Sequence, residues 1–395
     1  MTNGTPPGYL ATADCRLADL IQVVGTKTDL AEYPQASAVE QNVLTYEGAR
    51  LRLALSRPAG PERVQAELAH ALRDGPGIVV LTGAFADLSV VDLATRQFEA
   101  IIAAQRAAGG AAGDHFARAG QNDRIWNALE KLALRAPEVF AAYYANDLLA
   151  TACRAWLGPG YQVTSQVNVV NPGGAAQTVH RDYHLGFQTD PAAERFPAHV
   201  HRLSPVLTLQ GAVAHTDMPA ESGPTMYLPH SQKYLPGYLA WRRPDFREYF
   251  ESSYVQLPLA KGDAVFFNPA LMHAAGANRS AGIRRLGNLL QVSSAFGRAM
   301  ETVDRAAMSR TLYPVVHARL ASGEMTPAQV HRAVAACADG YSFPTNLDRD
   351  PPGASLMSES QQALMLRALD EGWAPARFEA EVTAQALRRR TDDDD

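Results

Sequence analysis

The middle of the chain constrains the fold most strongly. Between residues 161 and 296, at least six short runs of alternating or β-branched residues are separated by Gly, Pro, Asn and Asp. The runs are "YQVTSQVNVV", "TVHRDYHLGFQ", "VLTLQGAVAHT", "PTMYLP", "DAVFFNP" and "LGNLLQVSSAF". Short strands joined by turn residues are typical of an antiparallel sandwich or barrel. We therefore expect a mainly β fold with flanking helices.

Helical patterns lie on both sides of this β-rich segment. "GPERVQAELAHALRDG" has a proline suited to a first helical turn, and "TPAQVHRAVAACADG" has Thr326 as a cap with Pro327 at the first helical position. Residues 1–45 are polar and rich in small side chains. We predict an N-terminal extension over 1–45, a β-rich domain with N-terminal helices over 46–300, and a helical C-terminal extension over 301–395. The C-terminal helices are candidates for a homodimer contact.

The composition excludes several classes of function. The formal net charge of the 395-residue chain is −5, which gives no electrostatic case for binding nucleic acid or an anionic membrane. The three cysteines form no CxxC pair, no secretory signal is visible, and no apolar run is long enough to span a bilayer. We therefore predict a cytoplasmic protein with no nucleic-acid or membrane partner.

A metal-ligand pattern stands in the stretch "QTVHRDYHLGFQ". His180, Asp182 and His184 occur at every second residue, so in a strand all three would share one face. A 2-His-1-carboxylate triad with open positions is the usual site of non-haem Fe(II) oxygenases. His180 and Asp182 can supply two ligands, and His273, after a second apolar strand, is the candidate for the third. His184 lies a further ~6.5–7 Å along the strand and is expected outside the coordination sphere.

Four stretches together resemble the phytanoyl-CoA dioxygenase family of Fe(II)- and 2-oxoglutarate-dependent oxygenases. They are "GIVVLTGAFADLSVVDL", "QTVHRDYH", "ESGPTMYLPHSQK" and "KGDAVFFNPALMHAAGANRSAGIRR", and the match covers roughly residues 75–295. The resemblance implies a double-stranded β-helix (jelly roll, cupin-like) core. It also implies Fe(II) as metal and 2-oxoglutarate and O2 as co-substrates.

The resemblance assigns roles to individual residues. It makes His180, Asp182 and His273 the iron ligands and hence the catalytic residues. The arginine of the family lies eleven residues after the distal histidine, which is Arg284 here, and it would bind the far carboxylate of 2-oxoglutarate. A guanidinium suits this task because it forms two parallel hydrogen bonds with a carboxylate. Arg285 would alternate to the opposite strand face and lie on the surface.

The strand before the HxD motif has one polar face. Gln166 and Asn168 lie on it, and we predict that they line the co-substrate pocket; the alternative is a face that is simply solvated. Two positions depart from the family: Ala275 replaces a serine or threonine, and Ala212 aligns near an aromatic, so the pocket is expected to be wider or differently lined. Four further residues are candidates to cover the mouth of the site: His115, Arg118, Arg124 and Trp126.

The favoured function is oxidation, most simply hydroxylation, of an unactivated C–H bond of a small organic molecule. Related halogenases have a small residue at the position of Asp182, so the aspartate favours hydroxylation over halogenation. Natural-product biosynthesis is a fitting context, whereas an acyl-CoA substrate would require a basic strip that the chain lacks. Two alternatives stay open: a zinc hydrolase that uses the same two histidines and aspartate, and a non-catalytic jelly-roll binding module.

Overall fold

A computed structural model describes residues 5–108, 121–353 and 355–391. Eleven strands are found in these ranges: β1 (Ala38–Glu40), β2 (Val43–Glu47), β3 (Ile78–Thr82), β4 (Asn122–Ile125), β5 (Gln162–Val170), β6 (Thr208–Ala214), β7 (Met226–Tyr227), β8 (Val255–Gln256), β9 (Ala264–Phe267), β10 (His273–Ala274) and β11 (Arg285–Ser293).

The same ranges contain fifteen α-helices: α1 (Leu17–Val24), α2 (Gly48–Leu55), α3 (Gly60–Arg73), α4 (Leu88–Ala107), α5 (Ala128–Arg135), α6 (Pro137–Tyr144), α7 (Asp147–Leu157), α8 (Asp190–Ala193), α9 (Ala198–Leu203), α10 (Gly237–Ala240), α11 (Pro244–Ser253), α12 (Arg305–Ser322), α13 (Pro327–Cys337), α14 (Gln361–Asp370) and α15 (Pro375–Arg388). Helices, including the short 3-10 turns, account for 47% of the residues that the structure describes, so the prediction of a mainly β chain is not confirmed. None of the described helices combines the length and the apolar character that crossing a membrane requires.

The strands form two sheets. The large sheet has the order β1-β2-β3-β9-β6-β11-β5-β4, and the small sheet has the order β10-β7-β8. All neighbouring pairs are antiparallel except β2 and β3, which are parallel. The sheets face each other: the ring of Tyr227 on β7 lies 5.2 Å from the ring of Phe267 on β9, centroid to centroid.

The two faces of the large sheet have different environments, because successive side chains of a strand point to opposite sides. Val163, Val167 and Val169 of β5, with Leu286 and Leu290 of β11, belong to the main hydrophobic core, which also contains residues of the surrounding helices. Most of the intervening positions, from Gln166 and Asn168 of β5 to Gly287 of β11, line a cavity between the two sheets. Strands in the centre of the sheet are therefore covered on both sides, which explains why their apolar residues do not simply alternate with charged ones.

The two terminal extensions pack against the rest of the chain. Tyr313 of α12 stacks on Phe378 of α15 at 4.0 Å between ring centroids, and both rings belong to the main core. Leu20 of α1 is fully buried in a second cluster that includes Phe246. The apolar sides of the C-terminal helices are thus used within the chain, and the predicted homodimer through them has no support here. The predicted boundaries at residues 45 and 300 stay a prediction.

Candidate active site

Backbone pairing brings two of the predicted metal ligands side by side. The amide of His180 donates to the carbonyl of His273 at 2.9 Å, and the amide of His273 donates to the carbonyl of His180 at 3.1 Å. His273 belongs to β10, which pairs with β7 through Tyr227. Asp182 is held two residues further on, where its amide donates to the carbonyl of Pro269 at 3.2 Å.

The side chains of His180, Asp182 and His273 converge on one point. Nε2 of His180 lies 3.7 Å from Oδ1 of Asp182, and Nε2 of His273 lies 3.4 Å from Oδ2. One potential ligand atom from each of the three residues lies within 4.8 Å of the other two. Two imidazoles and a carboxylate at these separations suit a divalent transition metal of the kind that 2-His-1-carboxylate sites hold.

The imidazole hydrogen atoms are placed correctly for metal binding. Nδ1 of His180 lies 2.8 Å from the carbonyl of Thr178, and Nδ1 of His273 lies 2.9 Å from the carbonyl of Leu271. A carbonyl oxygen can only accept, so Nδ1 of each ring carries the hydrogen and Nε2 presents its lone pair. Fixing the tautomer through an outer hydrogen bond is the usual arrangement of metal-bound histidines.

The charge state of the cluster also suits a cation. Burial opposes ionisation of Asp182, but the neighbouring His180 and His273 and the hydrogen bond from Gln210 hold its pKa below its ordinary value. Burial lowers the pKa of His180, which favours the neutral ring. An ionised carboxylate beside a neutral imidazole suits a metal ion, because ligands must be deprotonated to bind it.

The chain turns sharply immediately after Asp182. Tyr183 and His184 both adopt positive φ angles, 63° and 42°, and His184 begins a short 3-10 helix. The stretch "TVHRDYHLGFQ" therefore does not form the predicted strand. It contributes one isolated bridge, between His180 and His273, and the positive φ angles of Tyr183 and His184 end the extended backbone after Asp182. His184 lies apart from the cluster, as expected, with its Nδ1 3.2 Å from the hydroxyl of Ser204.

The cluster opens into a cavity of about 600 Å³ between the two sheets. Ala212 and Ala275, the two departures from the family pattern, line this cavity. Trp126, Phe187, Trp241 and Met300 also contribute to its walls. Four residues were predicted to cover the mouth of the site. Arg124 and Trp126 line the cavity, whereas His115 and Arg118 lie outside the described residues.

The arginine prediction requires a correction. Arg284 points away from the cavity; its side chain is 44% exposed and forms an ion pair with Glu99 at 3.0 Å. Arg285 is only 7% exposed and lines the cavity, together with Gly287, Leu289 and Gln291 of the same strand. These odd-numbered positions share one face of β11. The spacing from His273 to the cavity arginine is therefore twelve residues rather than eleven.

Arg285 is a buried cation without a carboxylate partner among the residues that the structure describes. Its Nη1 donates to the carbonyls of Ser222 at 3.2 Å and Gly276 at 3.4 Å. Burial lowers its pKa to about 10, which still leaves it charged near neutral pH. A buried charge is strongly destabilising unless it is paired. The cavity therefore presents a fixed positive group that suits an incoming carboxylate.

Gln166 and Asn168 both line the cavity. Oε1 of Gln166 accepts a hydrogen bond from Nη1 of Arg124 at 2.7 Å. Oδ1 of Asn168 is buried and has no hydrogen-bond partner among the described residues, and Asn168 pairs in register with Gly287, two residues from Arg285. Their contact with a co-substrate stays a prediction.

Gln210 was not identified from the sequence. It lies on β6, lines the cavity, and its Nε2 donates to Oδ2 of Asp182 at 2.5 Å. The one available signal is a glutamine within the apolar run "VLTLQGAVAHT", since a polar residue in a buried strand commonly has a specific partner.

Comparison with known proteins identifies a family. The profile of the phytanoyl-CoA dioxygenase (PhyH) family matches residues 74–286, which is more than half of the chain. Among solved structures, the non-haem α-ketoglutarate-dependent carbocyclase SnoK from nogalamycin biosynthesis is 20% identical, with a TM-score of 0.42, over 60% of this chain and 86% of its own. The corresponding epimerase SnoN is 20% identical, with a TM-score of 0.37, over 60% and 85%.

HygX from Streptomyces hygroscopicus, crystallised with nickel, 2-oxoglutarate and hygromycin B, is 16% identical, with a TM-score of 0.41, over 58% of this chain and 87% of its own. A comparison with curated proteins gave no match. The family match favours an oxygenase over a zinc hydrolase or a non-catalytic binding module, and it covers both segments that carry the three clustered side chains, from His180 to His273. The chain belongs to the phytanoyl-CoA dioxygenase family and is a 2-oxoglutarate-dependent non-haem iron enzyme.

Proposed function

We propose that this enzyme hydroxylates an unactivated C–H bond of a small organic molecule, with Fe(II) held by His180, Asp182 and His273. The observation that carries the proposal is the convergence on a single cavity of three ligand side chains and one buried arginine that lacks a carboxylate partner in the described ranges. In this proposal the two sheets around the cavity are the double-stranded β-helix of the family.

The protein residues have separate tasks in this proposal. His180 and His273 would bind the metal through Nε2, and Asp182 would bind it through its ionised carboxylate. Bound Fe(II) would supply oxygen activation coupled to the decarboxylation of 2-oxoglutarate. Asp182 occupies a ligand position that halide would otherwise need, which supports hydroxylation.

Arg285, rather than Arg284, is the proposed partner of the far carboxylate of 2-oxoglutarate. It lines the same cavity as the three ligands and its guanidinium is positioned by two backbone carbonyls before any ligand arrives. Asn168, whose Oδ1 is unpartnered among the described residues, is proposed to lie beside the co-substrate. Positioning and charge neutralisation of this kind require no movement of the arginine during binding.

The cavity is large enough for a second molecule. Its volume of about 600 Å³ falls within the range of ~300–1,000 Å³ typical of ligand sites, and 2-oxoglutarate would occupy only part of it. The side chains of Trp126, Phe187 and Met300 offer apolar surface to a substrate. We therefore propose that the substrate occupies the part of the cavity away from Arg285.

The proposal is tested by anaerobic titration of the apo-protein with Fe(II) and then 2-oxoglutarate, with the weak visible charge-transfer band of the chelate as readout. We expect the band in the wild type and in His184→Ala, since His184 lies outside the cluster, and its loss in His180→Ala. Retention of the band in His180→Ala, or its absence from the wild type, would contradict the assignment of the site.

The reaction type is tested separately by mass spectrometry of the product formed from a substrate found by screening for stimulated succinate release. Hydroxylation adds one oxygen atom from O2 to the substrate. Loss of two hydrogens without added oxygen would instead indicate desaturation or cyclisation and would overturn the hydroxylation part of the proposal.

A further inference from the structure

Gln210 contacts the proposed metal ligand directly from the centre of the large sheet. Its strand lies between β9 and β11, and its register partners are Phe267 and Gln291. The residue is only 4% exposed, and its Nε2 donates to Oδ2 of Asp182 at 2.5 Å. A donor on a central strand has little freedom to move, because hydrogen bonds to both neighbouring strands hold its backbone.

Asp182 itself lies at a point where the chain gives its side chain little support. The extended backbone that pairs His180 with His273 ends there, and Tyr183 and His184 continue with positive φ angles. The backbone of Asp182 is held by Pro269 and by the hydroxyl of Tyr238, which donates to its carbonyl at 3.3 Å. These contacts fix the main chain but leave the orientation of the carboxylate to its side-chain neighbours.

The two carboxylate oxygens have different neighbours. Oδ2 accepts from Gln210 and faces Nε2 of His273 at 3.4 Å, whereas Oδ1 faces Nε2 of His180 at 3.7 Å. An oxygen that already accepts a strong hydrogen bond has less electron density to offer to a cation. The arrangement therefore favours binding of a metal through one carboxylate oxygen, and this would leave more coordination positions for other ligands.

We infer that Gln210 is a positioning residue that orients Asp182 for single-oxygen metal binding; this rests on the proposed assignment of Asp182 as a metal ligand. The orientation of the amide follows from chemistry, since only its nitrogen can donate to the carboxylate. Its own Oε1 is buried without a partner among the described residues. An unpaired buried oxygen lowers stability, so the contact with Asp182 is the feature that accounts for a glutamine at this position.

Gln291 provides a matched control. It is the cross-strand neighbour of Gln210, it lines the same cavity, and it is 8% exposed, with a buried Oε1 that has no partner in the described ranges. Unlike Gln210, its side chain does not hydrogen-bond to Asp182 within the described part of the chain. Replacing either glutamine with methionine removes a buried amide of the same size from the same wall.

The test is anaerobic Fe(II) titration of the wild type, Gln210→Met and Gln291→Met, with thermal unfolding of each apo-protein as a check of folding. Loss of a residue that orients a metal ligand typically lowers metal affinity about 10–100-fold. We expect that loss for Gln210→Met, with a displaced charge-transfer band on addition of 2-oxoglutarate, and wild-type Fe(II) affinity for Gln291→Met. Equal losses in both variants, or wild-type affinity in both, would overturn the inference.

A second variant covers the case in which Gln210→Met fails to fold. Gln210→Asn retains the amide on a side chain that is one methylene shorter, so the amide is further from Asp182 and we expect weaker Fe(II) binding than in the wild type. Unchanged Fe(II) binding would overturn the inference. Failure of this inference is distinguishable from failure of the proposed function. If the wild-type protein binds no Fe(II), the metal site itself is refuted. If the wild type binds Fe(II) and the Gln210 variants bind it equally well, only the role of Gln210 is refuted.

Discussion

The two faces of the large sheet illustrate how differently the same strands are used. One face of the sheet is covered by helices and is called the helix face; the other lines the cavity and is called the cavity face. On the helix face, Leu286 and Leu290 of β11 are buried in the main core. On the cavity face, Oε1 of Gln291 has no partner among the described residues, and Arg285 has no carboxylate partner there. The neighbours Arg284 and Arg285 separate into a surface ion pair and a cavity cation. A shift of one residue along a strand therefore decides whether a side chain belongs to a site or to the surface.

On the helix face, the buried polar ring of His215 is fully hydrogen-bonded. Nδ1 of His215 lies 2.8 Å from the hydroxyl of Thr95, and Nε2 lies 2.9 Å from the hydroxyl of Tyr143, so both ring nitrogens are paired. On the cavity face, Oε1 of Gln210 and Oε1 of Gln291 have no partner in the part of the chain that the structure describes. His215 thus joins the sheet to its helices through both ring nitrogens.

The largest expected effect concerns the two arginines. Arg285→Met should weaken 2-oxoglutarate binding by about 2–5 kcal/mol, because it removes the charged partner of a buried carboxylate. Arg284→Met should leave binding unchanged, since an exposed ion pair contributes at most about 1 kcal/mol and lies outside the cavity. Titration of the anaerobic Fe(II) protein with 2-oxoglutarate measures both. Loss of affinity in Arg284→Met with retention in Arg285→Met would reverse the assignment of the faces.

The next effect concerns two adjacent leucines of β11. Leu290 is 2% exposed in the main core, whereas Leu289 lines the cavity and is only partly buried. Leu290→Ala should lower the free energy of unfolding by about 2–5 kcal/mol through loss of core packing. Leu289→Ala should cost less, because its side chain already borders open space. Urea unfolding of the two apo-proteins provides the comparison, and equal losses would show that the faces are packed alike.

The smallest expected effect is the pH dependence due to His215. Burial lowers the pKa of this ring to about 3, well below its ordinary value near 6.5. Between these values the unfolded state binds a proton that the folded state does not, so the free energy of unfolding decreases as pH falls, by at most about 1.4 kcal/mol per pH unit. Its charged neighbours are Lys261, which lowers the pKa further, and Asp92, which raises it.

Urea unfolding from about pH 7 to about pH 5 measures this dependence in the wild type and in His215→Gln. The variant cannot bind the proton in either state, so its stability should fall less steeply over the same interval. Parallel pH profiles for the two proteins would show that His215 is not responsible for the dependence.

The local sequence pattern was sufficient to find the three clustered side chains but not the arginine. His180, Asp182 and His273 follow from a short motif and a strand end, and the structure places them together. Arg284 was selected by a family spacing, whereas the side that faces the cavity is determined by the register of β11. The grouping of Arg285 with Gly287 and Gln291 was visible in the strand, although Leu289 on the same face weakens that signal.

Two further features depended on contacts that a single sequence does not display. The turn after Asp182 uses positive φ angles at Tyr183 and His184, and neither is a glycine or asparagine that would indicate such a turn. The contact of Gln210 with Asp182 joins β6 to a distant segment that is not its strand neighbour. Both arise from tertiary packing, which overrides local preference.

The paired backbones of His180 and His273 have a consequence for the thermodynamics of the site. Bringing two distant segments of a flexible chain together carries a loop-closure entropy cost. If metal binding brought the segments together, this cost would lower the affinity for the metal. In this protein the two backbone hydrogen bonds between His180 and His273 join the segments when the chain folds, so metal binding does not carry that entropy cost. The ligands are thus held at short range by the fold, and metal release should leave the two segments joined.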